Sequence, residues 1–228
     1  MRIDILRQQL PDDKPYWESF DYDGPGENSV AGVLDYLNYH DDVVNAEGRP
    51  STRISWECSC LQGVCGGCAM VINGVPALAC NTFLSDLKGP VELRPLRKFP
   101  VICDLTVDRS SIHENLKKTN LFLREYQPHR EGDYPHQYEA AKCLKCGLCL
   151  EVCPNYVDGR QFYGAAFAND CYLVLSRNAA GAEELRRAYD RHFGQACSKS
   201  LSCMDVCPMQ IPTLSSMAKL NRGGKGLR

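Results

Sequence analysis

Cysteine is concentrated in three short segments of this chain, and that distribution limits the fold more than any other feature. The 228 residues include 14 cysteines. One segment reads "CLKCGLCLEVCP" (residues 143–154), a second "CSKSLSCMDVCP" (197–208) and a third "CSCLQGVCGGCAMVINGVPALAC" (58–80). Thiols grouped this closely are not explained by burial as small apolar side chains. The segments therefore predict sites that bind metal.

The rest of the composition indicates where such a site would be used. No apolar run approaches the roughly 18 residues needed to cross a bilayer, and "MRIDILRQQLP" is charged too early for a signal peptide. We therefore expect a chain kept in the cytoplasm, where thiols stay reduced and grouped cysteines indicate metal rather than disulfides. The net charge of −2 gives no indication of nucleic acid binding.

The first group follows the spacing C-x4-C-x2-C from Cys60 onward, with a further cysteine after an apolar hairpin. Its first three positions match the plant-type [2Fe–2S] spacing, and its glycines let backbone N–H groups approach the sulfurs. Structural zinc is the alternative, although it usually requires two C-x2-C pairs and this group has one. Cys58 lies outside the spacing and is not expected to bind. The predicted [2Fe–2S] ligands are Cys60, Cys65, Cys68 and Cys80.

The run from Cys143 has the spacing C-x2-C-x2-C-x3-C-P of bacterial ferredoxins, whose fourth cysteine binds the other cluster of a pair. The run from Cys197 has the same C-x3-C-P ending but places Ser200 at the second cysteine position. By the crossing rule, the predicted [4Fe–4S] ligands are Cys143, Cys146, Cys149 and Cys207. The remaining three, Cys153, Cys197 and Cys203, suit a [3Fe–4S] cluster whose missing corner faces Ser200. A [4Fe–4S] cluster with an oxygen ligand from Ser200 is the alternative, and a pair of zinc sites would not require the reciprocal endings.

The segments between the cysteines predict a different fold in each half. "IDILRQ", "YWESFDYD" and "VELRPL" read as strands, "AMVINGVPAL" as a hairpin turning at Asn73-Gly74, and a helix begins after the capping residue Ser29. Later come four helical segments, "SIHENLKKTNLFLREY" (with a capping box of Ser111 and Glu114), "RQFYGAAFANDCYLVLSR", "GAEELRRAYDRHF" and "LSSMAKLNR". "QPHREGDYPHQ" reads as a connector and "RGGKGLR" as a frayed tail. The predicted class is α+β, with a mixed-sheet unit over 1–100 and an all-α unit over 101–228.

Together these segments resemble the iron–sulfur subunit of succinate dehydrogenase and quinol:fumarate reductase. "ECSCLQGVCGGCAMVINGVPALAC" is similar to the family's N-terminal cluster loop, and "LRKFPVICDLTVDRS" resembles the link between its domains. The two later runs carry the other clusters in the family's order. The resemblance covers nearly the whole chain. It implies a β-grasp [2Fe–2S] ferredoxin-like domain followed by a helical, bacterial-type two-cluster ferredoxin domain.

The resemblance also implies partners. One is an FAD-containing flavoprotein that oxidises succinate or reduces fumarate, and the other is a membrane anchor that binds quinone and in some cases haem b. The [2Fe–2S] end would face the flavin and the [3Fe–4S] end the quinone, at the cytoplasmic face of a bacterial inner membrane. This chain has no Rossmann glycine signature and no substrate site of its own.

Departures from the family pattern bear on the direction of the reaction. Ubiquinone-type succinate dehydrogenases often have a tryptophan pair where Val157 and Asp158 stand here, and a histidine where Ser198 stands. The departures favour a quinol:fumarate reductase that uses menaquinol. The predicted quinone-pocket residues are Pro154, Asn155, Tyr156 and Ser198. The alternative functions are an electron-transfer subunit of a thiol- or heterodisulfide-linked flavoprotein reductase and a structural zinc-bound interaction module.

Overall fold

The computed structural model describes residues 1–39, 42–125, 133–177 and 181–222. The chain divides into two compact units, Met1–Asp108 and Arg109–Arg228. The boundary predicted at residue 100 lies eight residues before this division. None of the helices in these described ranges is long and apolar enough to cross a membrane.

The first unit is built on a five-stranded sheet in the order β2-β1-β5-β3-β4. Its strands are β1 (Arg2–Arg7), β2 (Tyr16–Asp21), β3 (Ala69–Ile72), β4 (Val75–Leu78) and β5 (Val91–Arg94). Strand β1 is antiparallel to β2 and parallel to β5, so the sheet is mixed as predicted. The helix α1 (Val30–Tyr39) buries Val33 and Leu34, which join the fully buried Ile3 and Ile5 of β1 in the core.

Two local predictions in this unit are confirmed. Strands β3 and β4 pair directly across Asn73 and Gly74, whose φ angles of 47° and 79° are those of a tight hairpin turn. The Ser29 hydroxyl accepts the N–H of Gly32 at 3.2 Å and so caps α1. The hairpin matters for the site, because it returns the chain to the cysteine loop immediately before β3.

A buried ion pair explains why the first unit extends past residue 100. The short strands β6 (Val101–Cys103) and β7 (Thr106–Val107) form a second, two-stranded sheet. Asp104 lies between them and accepts the Arg7 Nε–H at 3.0 Å, and the Arg7 side chain is completely buried. Arg7 also donates to Glu18 at 2.7 Å. Because a buried cation requires such partners, β6 and β7 fold with β1.

The second unit is helical over its described residues. Its helices are α2 (Ser110–Lys118), α3 (Tyr134–Ala141), α4 (Leu148–Glu151), α5 (Gly164–Leu175), α6 (Ala182–Tyr189), α7 (Ser202–Asp205) and α8 (Thr213–Arg222). Helix α5 is buried along almost its whole length and packs against α3, α6 and α8. A π-helical turn over Asp190–Gly194 continues α6 toward Cys197. The helices predicted over 160–177, 181–193 and 214–222 are confirmed as α5, α6 and α8, and α5 is shorter than its predicted segment.

Two predictions in the second unit need correction. Helix α2 begins at Ser110 and ends at Lys118, and no side chain caps it, so the capping box of Ser111 and Glu114 is wrong. The predicted connector 127–137 is wrong from Tyr134 onward, where α3 begins with Pro135 in its first turn. Proline is accepted there because the first N–H groups of a helix have no partner in the helix. Residues 127–132 and 223–228 lie outside the described residues.

Candidate iron–sulfur sites

The loop before β3 presents its backbone N–H groups to cysteine sulfurs. Gly63 and Gly66 have φ angles of 75° and 78°, values that residues other than glycine rarely adopt. The Gly63 N–H donates to Cys80 Sγ at 3.3 Å. Further N–H to sulfur bonds of 3.4 Å join Gln62 and Val64 to Cys60, Gly67 to Cys65, and Cys80 to Cys68. Donors aimed at sulfur in this way stabilise thiolate ligands.

The hairpin completes the set of four. A 3₁₀ turn over Ala79–Asn81 follows β4 and brings Cys80 Sγ to 3.3 Å from Cys68 Sγ. Cys60 and Cys65 are also within hydrogen-bonding distance of each other. The structure therefore brings together all four residues predicted as [2Fe–2S] ligands, while Cys58 is exposed.

The environments of these thiols differ. The N–H groups of Gln62 and Val64 lower the pKa of Cys60 to about 7, while burial raises the pKa of Cys68 to about 12. Iron binds the thiolate, so loading this loop must release protons from the buried thiols, and the positive charge of the iron offsets their desolvation.

In the second unit, four cysteines from two distant segments line one partly open cavity. They are Cys143, Cys146, Cys149 and Cys207. Gly147, with φ 89°, ends the first loop and begins α4, and α4 packs against α7 just before the second segment reaches the cavity. The predicted [4Fe–4S] ligands are therefore neighbours although sixty residues separate the two runs.

The remaining three predicted ligands lie near one another, and Cys203 also lies near Cys207 of the first set. Burial and the neighbouring Cys153 and Cys197 raise the pKa of Cys203 to about 11. Cys153 comes from the first run and the other two from the second, so the runs cross in space as the x3-C-P endings predict. Ser200 is exposed in the loop between them and accepts a hydrogen bond from Ser202 at 3.4 Å.

The donor chemistry suits clusters. Within the described ranges no three His, Cys, Asp or Glu side chains are positioned around a single metal ion. A cluster makes a different demand, because its thiolates are shared among several irons, two to each iron in [2Fe–2S] and one to each ligated iron in the larger clusters, and inorganic sulfide bridges the irons. All-thiolate donors, glycines at close approach and N–H groups directed at sulfur meet that demand.

The predicted quinone-pocket residues divide into two kinds. Ser198 donates to Asn155 Oδ1 at 2.5 Å, which joins the end of one cysteine run to the start of the other, and Pro154 is exposed beside them. Tyr156 is only 2% exposed, and its ring lies against Gly159 in the interior of the unit. Tyr156 therefore does not share the accessible surface of the other three.

Sequence reasoning missed an ion pair beside the cavity. Lys145 Nζ lies 2.5 Å from Asp170 Oδ1, and both side chains are largely buried. Burial alone would lower the pKa of Lys145, but the Asp170 carboxylate and the Cys143 thiol raise it above its ordinary value. Lys145 lies inside the first cysteine run, but no pattern in the sequence identifies a partner on α5.

A mixed-sheet unit with one cysteine loop and a helical unit with two crossing cysteine groups define a ferredoxin-type electron-transfer protein. Comparison with known proteins narrows this class. A family described as "2Fe-2S iron-sulfur cluster binding domain" matches residues 2–114. The chain is 34% identical to the succinate dehydrogenase iron-sulfur subunit of Bacillus subtilis (strain 168), over 97% of this chain and 91% of that protein. It is 37% identical to the fumarate reductase iron-sulfur subunit of Mycobacterium tuberculosis (strain CDC 1551 / Oshkosh), over 78% of this chain and 75% of that protein.

The chain belongs to the family of iron–sulfur subunits of succinate dehydrogenases and fumarate reductases. It is thus a subunit of an oxidoreductase, and the predicted [2Fe–2S], [4Fe–4S] and [3Fe–4S] cofactors are confirmed by this membership. The fold agrees with a solved structure, the Mycobacterium smegmatis Sdh1 complex in the apo form. The TM-score is 0.76 at 21% identity, over 100% of this chain and 98% of that one.

Proposed function

We propose that this chain passes single electrons between an FAD-containing flavoprotein, which interconverts succinate and fumarate, and a membrane anchor that binds quinone. When bound, iron–sulfur clusters carry electrons one at a time between a hydride-exchanging flavin and a quinone that takes two electrons with two protons. The protein's part is to hold and tune them. The observation that carries this proposal is the crossing of two cysteine runs in the second unit, together with a separate four-cysteine loop in the first.

The ligand assignment belongs to the same proposal. Cys60, Cys65, Cys68 and Cys80 would hold the [2Fe–2S] cluster, and Cys143, Cys146, Cys149 and Cys207 the [4Fe–4S] cluster. Cys153, Cys197 and Cys203 would hold the [3Fe–4S] cluster. The shared cavity and the N–H to sulfur bonds support the first two sets, and the proximity of Cys203 to Cys153 and Cys197 supports the third.

We infer further that the complex reduces fumarate with menaquinol at the cytoplasmic face of a bacterial inner membrane. Val157 is 74% exposed where ubiquinone-type relatives often carry tryptophan, so a polar and aliphatic surface would meet the anchor. Pro154, Asn155 and Ser198 would border the quinone pocket, and Tyr156 would support them from inside the unit. The anchor would supply the rest of the pocket, together with haem b where it carries one.

The test is to purify the natural complex anaerobically and measure both reactions. The proposal expects a flavoprotein and a membrane protein to copurify, and menaquinol-dependent fumarate reduction to be faster than succinate oxidation by quinone. A complex that oxidises succinate faster would overturn the proposed direction. A thiol or disulfide substrate in place of the dicarboxylate would overturn the function itself.

A further inference from the structure

Lys145 is held against the predicted [4Fe–4S] site by an acid from a different part of the fold. Its ammonium lies 2.5 Å from Asp170 Oδ1, and Lys145 lines the same cavity as Cys143, Cys146 and Cys149. The side chains of Lys145 and Asp170 are 21% and 9% exposed. An ion pair this sheltered is weakly screened by solvent, so each charge acts strongly on its surroundings.

The fold fixes both partners. Lys145 has a φ angle of 55°, uncommon for a residue with a side chain, which fixes its place in the short loop between Cys143 and Cys146. Asp170 lies on the buried helix α5, and its second oxygen, Oδ2, has no hydrogen-bond partner among the described residues. Asp170 therefore holds Lys145 at the wall of the cavity that the predicted ligands line.

The second cysteine run contains an internal comparison. Lys199 occupies the same position, two residues after the first cysteine of its run, and has the similar φ angle of 58°. It is exposed, and no carboxylate in the described part of the chain forms an ion pair with it. The backbone conformation thus recurs in both runs, while the sheltered charge pair occurs at the first alone.

We propose that Lys145 and Asp170 are positioning residues that set the reduction potential of the [4Fe–4S] cluster. This inference rests on the proposed role of Cys143 as a ligand of that cluster. A cation at the ligand sulfur favours the more negative reduced state and raises the potential, whereas the carboxylate opposes it. The two residues therefore act with opposite signs, which a purely structural pair would not do.

The test is a redox titration of the purified complex, monitored by electron paramagnetic resonance, which follows potential rather than turnover. Lys145→Met should shift the one-electron reduction equilibrium of the [4Fe–4S] cluster about tenfold toward oxidation, about 59 mV lower. Asp170→Asn should shift it the opposite way. Lys145→Arg should keep the wild-type value, and the control Lys199→Met should leave the [4Fe–4S] potential unchanged.

Shifts of the same sign in Lys145→Met and Asp170→Asn, or no shift with the cluster intact, would overturn the inference. If Lys145→Met loses the cluster, the test rests on the other two variants. Lys145→Arg should then keep the wild-type potential and Asp170→Asn should raise it, and an unchanged or lower potential in Asp170→Asn would overturn the inference. Failure of the underlying assignment has a separate signature, since Cys143→Ser would then leave the [4Fe–4S] signal of the complex unchanged.

Discussion

Ser200 occupies the place in the second cysteine run that Cys146 occupies in the first. A hydroxyl binds iron less well than a thiolate, so the account assigns three ligands and a [3Fe–4S] cluster to this site. Ser200→Cys should supply a fourth thiolate and convert the cluster to [4Fe–4S]. Electron paramagnetic resonance of oxidised protein would then lose its near-isotropic signal. The control Ser202→Cys, two residues along, should retain that signal. If the signal also persisted in Ser200→Cys, Ser200 would not face the missing iron of the [3Fe–4S] cluster.

Gly63 combines a backbone conformation that favours glycine with a hydrogen bond to a predicted ligand. Alanine at its φ of 75° costs about 1–2 kcal/mol and displaces the N–H that donates to Cys80 Sγ. We expect Gly63→Ala to lower stability and to shift the visible absorption of the [2Fe–2S] cluster. Gly48 has the same φ of 75° in a loop with open space around it. Gly48→Ala should therefore lose similar stability with an unchanged spectrum, and an identical spectral shift in both would refute the role of the Gly63 N–H.

At the scale of elements, the buried Arg7 holds β1 to the β6 and β7 hairpin. Arg7→Met would leave Asp104 buried without its cation, which should lower the free energy of unfolding by about 3–5 kcal/mol. Urea denaturation followed by circular dichroism measures the change. Arg2→Met removes a similar charge from an exposed pair with Asp4 and should have a much smaller effect. Equal losses in the free energy of unfolding for Arg7→Met and Arg2→Met would contradict the prediction that the buried ion pair stabilises the unit more than the exposed one does.

The elements that could be predicted are those with strong local signals. The Asn73-Gly74 turn, the Ser29 cap and the apolar α5 all specify their structure within a few residues. Helix α3 was missed because Pro135 and its polar neighbours resemble a connector, and only packing against α5 identifies them as a helix. The start of α2 agrees with the predicted start to within one residue, although the side-chain cap that the sequence suggested is absent.

At the scale of the whole molecule, spacing rules predicted which cysteines meet, because cluster ligands obey a known pattern across distant runs. The same rules could not predict the ion pair of Lys145 and Asp170. That contact depends on the rotation of α5 relative to the first cysteine run, which no local pattern encodes. The burial of Tyr156 beside two accessible neighbours likewise follows from packing rather than from the motif.

The crossing of the two runs gives a prediction about the second unit as a whole. Cys207→Ser should disrupt the [4Fe–4S] cluster and spare the [3Fe–4S] signal, although Cys203 of the same run is assigned to the latter. Cys153→Ser should do the reverse. Electron paramagnetic resonance of oxidised and reduced protein measures both. If each substitution affected only the cluster assigned to the other cysteines of its own run, the crossed assignment would be wrong.

Analysis of metal and acid-labile sulfide in anaerobically purified protein shows whether this chain carries a series of iron–sulfur clusters. We expect about nine irons and about ten sulfides per chain, the sum for one [2Fe–2S], one [4Fe–4S] and one [3Fe–4S] cluster. Zinc in place of iron, or thiolates without sulfide, would contradict this expectation.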